Sequence, residues 1–145
     1  MMSPETITLL NRLLGVIGKS FVQYLRYSRP YIPPGRDSVM ETFESIVTDQ
    51  DALVDRISQM LVDAQAPVRA GEFPMEYTDV HDLGIDFLVN AAVEYQRQDI
   101  GAIESLVEQL RSAPAAKALA EEALGMAKGH LESLRELLPA ATASE

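Results

Sequence analysis

The chain has 145 residues, 47% of them hydrophobic and 23% charged, which supports one buried core and excludes a globally disordered polymer. A formal net charge of -10, from 12 basic and 22 acidic residues, opposes binding to nucleic acid or to an anionic membrane surface. With no cysteine there are no disulfides, thiolate metal sites or cysteine nucleophiles, so any metal would need Asp, Glu or His ligands.

A first helix is predicted from Ser3-Pro4-Glu5. Ser can cap free amides, Pro fits the first helical position and an early carboxylate suits the positive end of the helix dipole. Leu10, Leu13, Leu14, Ile17, Phe21, Tyr24 and Leu25 recur at helical spacing as far as Pro30, and Pro33-Pro34-Gly35 ends the run. Ser38-Val39-Met40-Glu41 matches a capping box and predicts a second helix. Its inner face runs through Phe43, Ile46, Val47, Leu53, Ile57 and Leu61, is interrupted by Asp49 and Gln50, and stops at Pro67.

Residues 67–76 read as a loop of about ten residues, on the order of 33 Å when extended. That is just enough to travel along a bundle, so a long crossover and an up-down-up-down arrangement are both compatible with it. A third helix is expected to start near Thr78 and Asp79 and to carry Leu83, Ile85, Phe87, Leu88, Ala92, Ile103, Leu106 and Leu110, with Gly84 and Gly101 inside it. Pro114 opens a fourth helix through Leu138. The expectation is a single all-α four-helix domain over residues 1–139, with residues 140–145 frayed. No apolar stretch approaches the ~20 residues that span a bilayer, and no basic segment precedes an apolar one at Met1-Met2-Ser3-Pro4-Glu5, so a cytoplasmic location without membrane contact is expected.

Three segments carry a resemblance. Leu9-Leu10-Asn11-Arg12-Leu13-Leu14-Gly15, followed by Gln23-Tyr24-Leu25 and Arg29, resembles the first helix of bacterioferritins and related ferritin-like proteins. Gly129-His130-Leu131-Glu132 is similar to the end of their fourth helix, and Asp55-Arg56-Ile57 to the second helix beyond its ligands. The resemblance implies a ferritin-like four-helix bundle with the longer crossover between helices 2 and 3. It also implies a place for a di-iron centre, which needs an inward Glu on each of two helices and Glu-x-x-His on the other two.

Carried onto this chain, those ligand positions fall on Ile17, on Ile46 and Asp49, on Val89, and on Ala127 and His130. Asp49 and His130 alone keep ligating side chains, as a remnant metal site, and two ligands cannot hold two irons. An Asp–His hydrogen bond would satisfy both residues without metal. His81 reads as a solvent-exposed or capping residue, and the five tyrosines as amphipathic core-edge residues. Asp82 and Asp86, at i and i+4, read as surface acids.

No phosphate loop, nucleophile elbow or Ser–His–acid pattern is present, so an enzymatic reading rests on metal alone. The expected function is a non-catalytic ferritin-like binding or interaction protein without a cofactor, with a homodimer as the expected assembly through the Tyr24 to Arg36 segment. The alternative is a protein binding iron or another divalent metal through shifted carboxylates, drawn from Glu44, Asp51, Asp82, Asp86, Glu94 and Asp99. Small-molecule binding in the bundle interior is a third reading, and requires a sizeable apolar pocket.

Overall fold

A computed structural model describes residues 2–80 and 83–138, and among these the chain is all-helical, without strands. The α-helices are α1 (Pro4–Gly18), α2 (Phe21–Ser28), α3 (Asp37–Asp63), α4 (Ile85–Gln109) and α5 (Pro114–Arg135), with a 3-10 helix at Met75–Val80. No described helix is long and apolar enough to cross a membrane.

α1 starts as expected, with the Ser3 hydroxyl accepting from the Thr6 amide and Pro4 at the first helical position. The expected continuous run to Pro30 is corrected: α1 ends at Gly18 and a separate helix begins at Phe21. Lys19 leaves the helical region and Ser20 is extended. The Ser20 hydroxyl accepts from the Gln23 amide at 3.3 Å and donates to Gln50 Oε1 at 3.1 Å. It thus gives the backbone a cap in place of a helical bond, and ties the break to α3. Ser20→Ala is expected to cost about 1–2 kcal/mol in a urea unfolding measurement, through loss of the cap and of the Gln50 partner.

The capping box at Ser38 does not form, because α3 already begins at Asp37 and Ser38 lies exposed in its first turn. Gly35, at φ 86°, turns the chain into the helix, and Arg36 in the capping position sends its side chain to Asp86 and to the Leu137 carbonyl. α3 ends four residues before Pro67.

The connection to α4 follows α1 and then α2. Asn11 brackets it, donating through Nδ2 to the Pro67 carbonyl at 2.9 Å and accepting from the Arg69 amide at 2.6 Å. One turn on, a Cβ at Gly15 would stand 3.0 Å from the Ala70 carbonyl oxygen, so glycine is what lets the connection lie this close. Lys19 then covers the Phe73 ring, and Tyr77 packs edge-on against Phe21 with centroids 5.2 Å apart.

α4 begins at Ile85, not near Thr78 and Asp79, which belong to the 3-10 helix; Gly84 caps α4 instead of lying inside it. Leu83 and Phe87, expected among the apolar residues the third helix carries, are 40% and 54% exposed. The buried phase of α4 is Ile85, Leu88, Val89, Ala92, Val93 and Gln96, and Phe87 falls outside it. Helix α4 continues through Gly101, and α5 ends at Arg135, with Glu136–Leu138 in turns. His81, Asp82, Pro139 and the tail expected to fray lie outside the described residues.

α1 packs along α3 and α4, α2 along the same two helices, and α5 along α4 and α3. The interior holds two apolar clusters. One joins Leu10, Leu13, Ile57, Leu61, Ile103 and Leu119; the other joins Phe21, Val39, Ile46, Leu88, Val89 and Leu134.

Candidate functional site

Between the two apolar clusters each part of the structure contributes a buried polar residue: Ser20 at the α1–α2 break, Gln50 on α3, Gln96 on α4 and His130 on α5. Burying such groups is costly unless they are paired. Ser20 donates to Gln50, Gln96 Nε2 donates to the Ala127 carbonyl at 3.0 Å, and His130 Nε2 lies 2.9 Å from Asp49 Oδ2. Toward the surface, Gln23 and Arg26 extend the layer to the Asp51 carboxylate at 3.0–3.2 Å.

The structure therefore brings Asp49 and His130 together as a hydrogen-bonded pair. With Nε2 protonated, the imidazole donates to the carboxylate. The two side chains differ in setting, His130 being 10% exposed and Asp49 47%. Solvent screening at Asp49 limits the worth of the pair, so a double-mutant cycle with Asp49→Ala and His130→Ala is expected to give a coupling of roughly 1 kcal/mol or less.

The positions assigned to the other ligands are filled by packing. Ile17, Ile46, Val89 and Ala127 are 4%, 1%, 0% and 6% exposed and belong to the apolar clusters on either side of the layer. Among the described residues no three His, Asp or Glu side chains are grouped so as to hold a metal ion. Of the acids named as shifted ligands, Glu44, Asp86 and Glu94 are exposed, and Asp51 is engaged by Gln23 and Arg26. Asp82 lies outside the described residues.

Asp99 is the exception. It lines a crevice of about 10 Å³ together with Gln50, Gln96 and His130, and burial pushes its carboxyl up from an ordinary 3.8 to about 7. A space of that size holds about one water molecule and no organic ligand, which removes this part of the interior as a small-molecule pocket. A larger open groove of about 480 Å³ lies between α3 and α5, with Asp49, Met126 and His130 in its wall.

Asp99 and Gln96 were legible in the spacing Ala92, Gln96, Asp99, Ile103, which alternates four and three and so keeps one helical face. The tyrosines divide: Tyr77 is buried in a cluster with Phe21 and Tyr95, whereas Tyr27 and Tyr31 are 68% and 76% exposed and are not core-edge residues. Burial raises the Tyr77 hydroxyl strongly, with Asp99 adding to the effect. No protein-family model, curated protein or solved structure matches this chain.

Proposed function

We propose that the chain is a ferritin-like four-helix bundle, with α1 and α2 together as its first helix, that acts as a non-catalytic binding or interaction protein. The packing pattern supports the architecture. α3 and α4 follow one another in the chain yet pack mainly on α1, α2 and α5, and their connection runs along α1 and α2. An up-down-up-down bundle would make consecutive helices neighbours, and a crossover bundle puts them on a diagonal.

The observation that carries the function is the aliphatic packing at Ile17, Ile46, Val89 and Ala127. Bridging carboxylates neutralise two metal ions and span them, and buried aliphatic groups supply neither charge nor lone pairs. In this reading Asp49 and His130 form a structural hydrogen bond, no cofactor takes part, and the protein works in the cytoplasm as a side-by-side homodimer. A scattering mass that stays monomeric across the accessible concentration range would count against the dimer.

The test of function is aerobic loading with ferrous iron, removal of the excess, and elemental analysis of the protein. The expected content is far below one iron per chain, with ferrous oxidation at the rate of buffer alone. About two irons per chain would overturn the reading.

A further inference from the structure

A cleft of about 550 Å³ opens where the chain leaves α2 through residues 30–33 and where α4 begins. Leu25, Pro30, Pro33, Ile85 and Leu88 give it an apolar lining, and the two leucines and Ile85 are buried members of the second apolar cluster. Tyr31 and Leu83 also line it and, at 76% and 40% exposed, leave apolar surface in water. A volume of roughly 300–1,000 Å³ is that of small-ligand sites. Unlike the crevice beside Asp99, this cleft has room for an organic molecule.

Its charge is unbalanced. In a chain with a net charge of -10, no Asp or Glu lines the cleft, and Arg29 does. The Arg29 guanidinium makes no hydrogen bond or ion pair among the described residues. It also borders a neighbouring groove that carries Glu44 and Asp51, yet it pairs with neither, and Asp51 is taken by Gln23 and Arg26. On the α4 side, Asp86 is taken by Arg36. Arg29 ends α2 at φ 48°, in the left-handed region, and glycine is the usual residue where a helix ends this way. An arginine thus stands where the backbone favours glycine, and its charged group serves no partner in its own chain.

A guanidinium matches a carboxylate through two parallel N–H donors. The apolar lining supplies no donor for a second charge, and an inorganic anion would gain nothing from it. We propose that this cleft binds a monocarboxylate with an apolar body, its carboxylate on Arg29 and its body against Leu25, Ile85 and Leu88. The proposal gives the binding role above a ligand class, but it rests on this cleft alone. Iron loading and carboxylate binding can therefore fail independently.

The experiment is NMR titration of the ¹⁵N-labelled full chain with octanoate, 2-naphthoate and 1-octanol. A carboxylate is expected to shift the backbone amides of Leu25, Arg29, Tyr31 and residues 83–88 saturably, with 1-octanol binding about tenfold more weakly or worse. Arg29→Gly is expected to weaken the carboxylate by about tenfold or more. That variant suits the backbone at φ 48°, so its amide spectrum should stay unchanged away from the cleft. Tighter binding of octanoate identifies a flexible alkyl body, and tighter binding of 2-naphthoate a flat aromatic one; either upholds the proposal.

The absence of a saturable shift at these amides with both carboxylates overturns it. So does 1-octanol binding as tightly as octanoate, or Arg29→Gly binding as tightly as the unsubstituted protein. A second copy of the chain seated on the cleft would shift the same amides with protein concentration. If octanoate does not reverse those shifts, the proposal is likewise overturned.

Discussion

Asp99→Asn is expected to stabilise the protein at pH 8.5 by on the order of 2 kcal/mol or more, measured as the free energy of urea unfolding. The ceiling follows from the displacement of the carboxyl from 3.8 to about 7, which makes ionisation in place about 4 kcal/mol harder than in water. Partial access of solvent to Asp99 reduces the effect below that ceiling. The sign follows from proton binding. The unfolded chain releases the Asp99 proton near pH 4 and the folded chain holds it to about 7, so between these values the folded state binds more protons. The contribution to stability is complete below pH 4, falls as pH rises, and has been lost once pH exceeds about 7.

Asparagine has no such dependence. The difference between the two proteins should therefore be small at pH 4, grow through neutrality and become level above it. The exposed Arg56–Glu122 pair, which holds the Glu122 carboxyl below its ordinary range, acts in the opposite sense at the acid end, where its contribution is lost as pH falls. That pair is common to both proteins and cancels in the comparison. A difference that is flat with pH would refute the burial argument.

Phe21→Ala should produce the largest loss, about 3–5 kcal/mol in the same measurement. Phe21 is 1% exposed, and its ring lies 5.2 Å from that of Tyr77 and 5.0 Å from that of Tyr95. Those tyrosines are themselves in edge contact at 4.9 Å. Truncation opens a cavity where the first residue of α2, the 3-10 helix and α4 meet, and α2, with eight residues, has little stability of its own to offset it. Near-UV circular dichroism should weaken with it, since Tyr77 and Tyr95 lose their fixed partner. Tyr31→Ala, at a position 76% exposed, provides the control and is expected to change stability by less than about 0.5 kcal/mol. Equal losses from the two substitutions would show that the cluster around Phe21 does not organise this end of the fold.

The approach of His130 to Asp49 was readable from the resemblance, which assigned both residues to one centre, and from the phase of His130 on the apolar stripe of α5. The wider polar layer was harder to see. Gln50 announced itself only as an interruption in an apolar face, and Ser20 reads equally well as an ordinary helical residue or as a cap. The inward phase of Asp99 was present in the spacing, yet a carboxylate on such a stripe is more often solvated than buried, and which of these holds depends on the helices packed against it.

By itself the sequence determined the helical class, the stops at the proline and glycine segments, and most of the buried stripes. These follow from local rules: a 3.6-residue period, a fixed φ at proline, and the need to cap free amides. The tertiary structure decided where the first helix breaks, where α4 begins, and which polar groups enter the core. Ser20 gains Gln50 thirty residues away, Tyr77 gains Phe21 across the connection, and Asp99 enters a narrow crevice walled by α1, α3 and α5. Each of those outcomes turns on a contact between distant segments, whose free energy no local window of sequence contains.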